Sequence, residues 1–410
     1  MLAKIGALGE GSASPGGYTR TTAPASNRRA WKGTAACVTA MAVVSLAACS
    51  SSSSSHSSST SGSSSSSTAS GTGQAANVAA AQAAIAPFTV PPTAIPVTDP
   101  LPEKLPAGKK FVYLQCGTPI CAQVGELLHL AVATMGGTFT VVNAGTTAQT
   151  AQAAASSALA LKPDAVLLGA IDPALFGTGL KALANAGAKL VSLQVDKDVT
   201  QYGITFNYLG TNLSVQNGKL LADWVIANKG AQANAVLYTL PALEISGPVQ
   251  TSFQNEMKTN CSSCTVRVVP LDATTIGTTA PSTVVTDLQA HRDTNVAVFV
   301  SLSAAQGLPA ALKAAGLSVT TVGFGPTAGN LQDIKDGALT AALDIDFPVS
   351  TFAAVDAARR LLEGSQPTAA EQAGEAPEQF LEQKDITFNP TIGWTAFPNF
   401  IQRFSTLWAT

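Results

Sequence analysis

Residues 111–195 alternate strand-like runs with helical patterns, and this alternation limits the possible folds more than any other feature. The strand-like runs are Phe111–Gln115, Thr138–Asn143, Ala165–Gly169 and Lys189–Leu193. Apolar residues at helical spacing predict helices over Ala122–Met135, over Ala148–Leu161 and from Asp172 to about Ala186. Helices between continuous apolar strands indicate a parallel sheet that is covered on both faces.

The alternation resumes downstream, so the sequence predicts a second unit of the same kind. A helix is expected from Leu213 to about Asn228, and strands then alternate with helices up to Ile345. The predicted fold class is therefore α/β, with two doubly wound parallel-sheet lobes joined by a multi-strand hinge. The tail from Phe380 to Thr410 is rich in aromatic residues, and we expect their apolar area to be buried.

The N-terminal region predicts export from the cytoplasm. Basic residues at Arg28, Arg29 and Lys32 precede an apolar run, Ala35–Ala48, of 14 residues. A helix that crosses a bilayer needs about 20 residues, so this run is interpreted as the core of a signal peptide. Residues 27–32 also resemble a twin-arginine signal, which leaves the Sec and twin-arginine routes open.

The apolar run ends in Leu46-Ala47-Ala48-Cys49, which resembles the lipobox of bacterial lipoproteins. In a lipobox the small residues permit cleavage and the cysteine carries the lipid. The resemblance implies lipidation of Cys49 and an anchor on the outer face of the bacterial cytoplasmic membrane.

Residues 50–73 are almost pure serine and cannot bury enough apolar area to fold, so they predict a flexible tether. Residues 87–106 contain seven prolines and are expected to be extended, with their apolar side chains packed along the body. The predicted domains are a signal peptide with lipobox at 1–49, a tether and lead-in at 50–108, an N-terminal lobe at 109–212 plus 347–366, and a C-terminal lobe at 213–346 plus 380–410.

The net charge indicates which partners are not expected, and the spacing of the cysteines indicates the compartment. From Cys49 onward there are 18 basic and 24 acidic residues, a formal charge of −6. Phosphate binding needs a basic face, so nucleic acid is not expected as a partner. The close cysteine pairs Cys116/Cys121 and Cys261/Cys264 are interpreted as disulfides, because such pairs persist outside the cytosol.

Several strings, in collinear order, resemble type I periplasmic solute-binding proteins, the ribose-binding-like group. They are Lys162–Leu168 followed by Asp172-Pro173, Ala184–Val191, Val322–Gly325, Ile334–Ala342 and Phe347-Pro348. The resemblance covers about residues 109–366. It implies a monomeric protein that binds a small molecule and delivers it to an ABC permease, with no cofactor or metal. Repressors of the LacI kind share this fold, but the export signal and the missing DNA-binding head argue against that branch.

In this family the ligand lies between the lobes, at the carboxyl ends of the strands. The candidate ligand-binding residues in these loops are Thr118, Ile120, Asp172, Gln194, Glu244, Ser301, Ser303, Asp346 and Phe347. Gln194-Val195 stands where sugar-binding relatives carry an Asp-Arg pair, and Leu302-Ser303 where they carry Asn-Asp. Besides a sugar-like ligand, the sequence therefore favours a mixed polar and apolar molecule that is neutral or weakly cationic.

Two other functions fit the sequence less well. A sensor lipoprotein would present the same ligand-bound form to a membrane receptor. A hydrolase would use Ser303 or Cys116 as its nucleophile, but no G-x-S-x-G motif is present. We therefore predict a protein that is not an enzyme.

Overall fold

Two sheets and their covering helices account for most of the computed structural model, which describes residues 76–101, 106, 108–196 and 198–408. The predicted signal peptide, Cys49 and the whole of the predicted tether at 50–73 lie outside these residues. Within the described ranges no helix is both long enough and apolar enough to span a membrane.

The first sheet has five parallel strands in the order β2-β1-β3-β4-β5. The strands are β1 (Lys110–Cys116), β2 (Thr138–Gly145), β3 (Ala165–Gly169), β4 (Lys189–Leu193) and β5 (Phe206–Tyr208). Strand β3 is buried along its whole length, as expected for a central strand with helices on both faces.

The second sheet has six strands in the order β11-β10-β9-β8-β6-β7. Five of them are parallel, and β11 pairs antiparallel with β10. The strands are β6 (Asn234–Thr239), β7 (Thr265–Pro270), β8 (Val296–Phe299), β9 (Thr320–Phe324), β10 (Ala341–Ile345) and β11 (Glu378–Glu382). The predicted α/β fold with two parallel-sheet lobes is confirmed.

The helices are α1 (Val78–Ile85), α2 (Pro119–Met135), α3 (Ala148–Ala160), α4 (Gly179–Asn185), α5 (Thr211–Lys229), α6 (Ser246–Asn260), α7 (Ala280–Ala290), α8 (Leu308–Ala315), α9 (Ala328–Lys335), α10 (Phe347–Leu362), α11 (Ala369–Ala373) and α12 (Phe400–Leu407). Helices α2 and α10 pack together, and α10 also contacts β4. The chain that leaves β10 in the second lobe therefore returns to the first lobe through α10.

The proline-rich lead-in crosses from the second lobe to the first. Helix α1 packs on α5, and Asn77 N donates a hydrogen bond to Asn260 O at 2.7 Å. At the other end, Leu101 N donates to Leu407 O at 2.9 Å, and the Arg360 guanidinium on α10 donates to Asp99 O. The lead-in thus contacts both lobes. Ile95, Val97 and Leu101 are buried, as the sequence predicts, whereas Val90 is exposed against that expectation.

Two valines of the lead-in provide a test of this packing. Val97 is 1% exposed and Val90 is 57% exposed. We expect Val97→Ala to lower the free energy of unfolding by about 1.5 kcal/mol, because it removes two buried methyl groups. Val90→Ala is the matched control and should change the stability little. Equal effects in denaturant unfolding would contradict the packed position of Val97.

The C-terminal tail divides between the lobes, whereas we expected all of residues 380–410 in the C-terminal lobe. Strand β11 completes the second sheet, but α12 packs against α2 and α10. The reason is an aromatic cluster on α10: the Phe352 ring lies 5.0 Å from Phe400, 5.3 Å from Phe404 and 5.4 Å from Trp408. The apolar area of the tail is buried there.

Candidate ligand-binding cleft

A cleft lies between the lobes at the carboxyl ends of the two sheets. The first lobe contributes side chains in and after its strands, including Tyr113, Cys116, Thr118, Ile120, Gln194 and Leu209. The second lobe contributes Leu243, Ile245, Ser301, Phe324 and Gly325. The first turn of α10 closes one side with Phe347, Ser350 and Thr351. The site is therefore assembled from loops that the topology brings to one edge.

The two lobes touch across this cleft. Glu244 N donates to Ala170 O at 3.1 Å, and Ile171 forms an antiparallel bridge with Leu243. On another side, Ala328 N donates to Gln123 Oε1 at 2.9 Å. Because these hydrogen bonds join one lobe to the other, the two lobes are in a closed arrangement.

A disulfide shapes the loop after β1. Cys116 and Cys121 are bonded, with a Cα–Cα distance of 5.6 Å, and both line the cleft. Thr118, between them, lies with its Oγ1 3.1 Å from Cys116 Sγ. The second disulfide, Cys261–Cys264, lies in the other lobe between α6 and β7. No cluster of three or more metal-ligating side chains was found among the residues that the structure describes.

Three non-glycine residues at the cleft have left-handed backbone conformations. They are Ala170 (φ 37°), Gln194 (φ 57°) and Leu209 (φ 57°), which directly follow β3, β4 and β5. This conformation costs roughly 1–2 kcal/mol per residue. Such strain persists where the surrounding structure enforces it, and it is typical of ligand sites.

Five of the predicted ligand-binding residues lie in the cleft wall: Thr118, Ile120, Gln194, Ser301 and Phe347. The structure places the other four elsewhere. Ser303 is fully buried behind the wall, with its Oγ 2.9 Å from Ser301 Oγ. Asp172 caps the short 3₁₀ helix Pro173–Phe176 by accepting a hydrogen bond from Ala174 N at 2.8 Å. Glu244 joins the lobes through its backbone rather than lining the cavity.

Asp346 is the most informative of these four. Its Oδ1 accepts from Val349 N at 3.0 Å and caps α10. Its Oδ2 accepts from Thr395 Oγ1 at 2.8 Å and from Ala396 N at 2.9 Å. Because these three bonds occupy the carboxylate and the residue is fully buried, Asp346 holds the hinge and the tail instead of facing a ligand.

The structure adds wall residues that the sequence reading missed. Tyr113 lies inside β1, and Ser350 and Thr351 lie on α10. Ser350 and Thr351 could have been predicted from the sequence. They lie three and four residues after Phe347, and residues so spaced share one face of a helix.

Three buried carboxyl groups lie near the cleft: Asp344 in β10, Asp346 between β10 and α10, and Glu378 at the start of β11. Burial raises the pKa of Glu378 to about 8, although a hydrogen bond from Gln216 Nε2 at 2.8 Å opposes the rise. Burial also raises the pKa of Asp346 to about 7, and that of Asp344 well above its ordinary value. These groups are therefore protonated at pH values where an exposed carboxyl is ionised.

Glu378→Gln is expected to weaken the pH dependence of stability. The folded protein keeps Glu378 protonated up to about pH 8, whereas the unfolded chain ionises it above its ordinary value of 4.5. Wild-type stability should therefore fall as the pH rises from 5 to 8. The variant should match wild type at pH 5 and exceed it at pH 8 by at least about 1 kcal/mol, because one pKa unit is worth about 1.4 kcal/mol. Denaturant unfolding at both pH values checks this, and equal slopes would contradict it.

Two parallel α/β lobes with a cleft at their strand ends define a two-lobed small-molecule-binding protein. A family model described as a periplasmic binding protein domain matches residues 110–366. The chain belongs to this family, as the sequence resemblance predicted. The lead-in and the tail from β11 onward lie outside the matched region.

Three solved structures with the same fold are distant from this chain in sequence. The Caulobacter myo-inositol binding protein is 18% identical, with a TM-score of 0.59 over 70% of this chain and 96% of that one. The 5-methylthioribose transporter solute binding protein of Thermotoga lettingae TMO is 11% identical, with a TM-score of 0.60 over 73% and 98%. A periplasmic ribose ABC transporter protein from Conexibacter woesei DSM 14684 is 17% identical, with a TM-score of 0.54 over 68% and 94%. No curated protein matches the chain.

Proposed function

We propose that this protein is an exported, lipid-anchored solute-binding protein that captures a small molecule between its lobes and presents it to an ABC importer. The observation that carries the proposal is the cleft itself, whose wall comes from both lobes at the carboxyl ends of their strands. A ligand held there stabilises the closed arrangement, because it contacts both lobes at once. The sugar-binding and transport proteins that share the fold support the same role.

The contacts of the candidate nucleophiles favour binding over hydrolysis. Cys116 is disulfide-bonded and carries no free thiol. Ser303 is fully buried, and no histidine lines the cleft among the residues that the structure describes. The two histidines in those ranges are engaged elsewhere, His129 stacked on Phe139 and His291 beside Asp287.

Co-purification separates the importer role from the sensor role. The protein with a C-terminal tag is extracted from membranes of its own host in a mild detergent, together with its partners. A permease and its ATPase in stoichiometric amounts support the importer, while a receptor or kinase in their place supports the sensor. Recovery of neither would count against both membrane roles.

The lipid anchor has its own test at Cys49, which lies outside the described residues. Cys49→Ser removes the thiol that carries the lipid, so the protein should move from the membrane fraction to the soluble fraction. Cys37→Ser, in the predicted signal core, is the matched control and should leave the fractionation unchanged. Full membrane retention of Cys49→Ser would rule out lipidation at this residue.

A further inference from the structure

The wall of the cleft is almost entirely apolar. Its main surfaces come from Val124, Leu193, Leu243, Ile245, Phe324 and Phe347. No lysine, arginine, aspartate or glutamate lines the cleft in the part of the chain that the structure describes. A charged ligand would therefore lose its hydration without gaining an opposite charge.

Most hydroxyl groups in the wall already have partners within the protein. Thr351 Oγ1 donates to Phe347 O at 2.8 Å. Ser301 Oγ lies 2.9 Å from Ser303 Oγ, and Thr118 Oγ1 lies 3.1 Å from Cys116 Sγ. A ligand with many hydroxyl groups would leave most of them unpaired, which costs more than the contacts return.

Two hydroxyls of the wall, those of Ser350 and Tyr113, have no hydrogen bond within the described residues. The Ser350 hydroxyl lies beside the hydroxyl of Tyr208, whereas that of Tyr113 has no such polar neighbour. The Tyr113 side chain is fully buried, and its oxygen has no hydrogen-bond partner among the described residues. It lies where Gly169 leaves room, since a Cβ built on Gly169 would be 2.8 Å from that oxygen. Burial also raises the pKa of Tyr113, so the group remains a proton donor. Buried polar groups in proteins normally have hydrogen-bond partners. A hydroxyl at a cavity wall that lacks one can therefore donate a hydrogen bond to an acceptor group of a ligand.

We propose that the cleft binds a neutral, mainly apolar small molecule with one polar group that pairs with the Tyr113 hydroxyl. This inference rests on the proposed binding function and specifies its ligand class. The two loops that close over the cleft, at Ala170 and Glu244, exclude water from the apolar wall.

Four probes with one ring test the ligand class: cyclohexanol, myo-inositol, cyclohexanecarboxylate and cyclohexylammonium. Their dissociation constants are measured by calorimetry on the purified protein after bound molecules have been removed. We expect cyclohexanol to bind at least tenfold more tightly than each of the other three. Tighter or equal binding of any of those three overturns the inference but leaves the binding function standing. Failure of all four to bind also overturns it, and the binding function is then decided by native mass spectrometry of the protein after incubation with a host extract.

Tyr113→Phe tests the polar group. The variant should weaken cyclohexanol binding about three- to tenfold, the value of one hydrogen bond. Binding of chlorocyclohexane, which cannot form an equivalent bond, should change less than twofold. Tyr202→Phe, a partly buried tyrosine outside the cleft wall, is the matched control. Equal losses for both probes would assign Tyr113 a packing role, and no loss for cyclohexanol would remove it from the site.

Discussion

Asp356→Asn is expected to lower the free energy of unfolding by about 3–5 kcal/mol, the cost of breaking a buried ion pair. Asp356 is fully buried on α10, and its Oδ2 accepts from Arg360 Nε at 2.6 Å. Its Oδ1 accepts from Trp408 Nε1 at 2.6 Å. Arg360 also donates to Asp99 O of the lead-in. The Asp356 carboxylate therefore connects α10 to the lead-in through Arg360 and to the C-terminal tail through Trp408.

Glu371→Gln is the matched control for Asp356→Asn. Glu371 Oε2 lies 3.8 Å from Arg360 Nε, which is too far for a hydrogen bond. Burial and the charge of Asp356 raise the pKa of Glu371 to about 8, so it is mostly protonated at pH 7. A neutral glutamine should therefore cost much less than the loss of Asp356. Similar losses for the two variants in denaturant unfolding at pH 7 would contradict the assignment of the charge to Asp356.

Gly218→Ala is the second substitution with a large expected effect. A Cβ at Gly218 would lie 1.9 Å from Ser252 Oγ and 2.4 Å from Val249 O. The hydroxyl can rotate away, but the carbonyl belongs to the backbone of α6 and cannot. Helices α5 and α6 would have to separate, so we expect a loss of about 2–3 kcal/mol despite the better helix propensity of alanine.

Gly247→Ala is the control, since it adds the same methyl group to α6 where nothing lies within 4 Å. Its stability should equal or slightly exceed that of wild type. Thermal unfolding of both variants is the measurement. A Gly218→Ala protein as stable as Gly247→Ala would contradict the close contact of α5 and α6.

The alternating pattern predicts β1 to β10 and most of the helices between them. The helix expected from Asp172 to about Ala186 is instead divided at Gly177 into the 3₁₀ helix Pro173–Phe176 and α4. Strands buried on both faces, such as Ala165–Gly169, carry the strongest signal because no polar residue interrupts them. Strand β11 was not predicted, since Glu378–Glu382 is short and half polar. Its strand conformation depends on pairing with β10, which is distant in sequence.

The candidate site was predicted less completely than the fold. Loop positions such as Thr118 and Gln194 follow from the rule that parallel sheets bind ligands at their carboxyl ends. Tyr113 was missed because it lies within a strand. Asp346 was expected in the cleft because of its place in the crossover between the lobes, but its hydrogen-bond donors Thr395 and Ala396 are about 50 residues away. Sequence spacing does not reveal such distant donors.

The proposed function requires that a small molecule is held between the lobes. Ile120→Trp places a large side chain at the cleft from the first turn of α2, whereas Leu159→Trp adds the same side chain on α3, away from the cleft. Each protein is incubated with a small-molecule extract of its host, separated from unbound material and measured by native mass spectrometry. We predict one bound small molecule on wild type and on Leu159→Trp, and none on Ile120→Trp. An equal bound mass on Ile120→Trp, or no bound mass on any of the three, would contradict the claim.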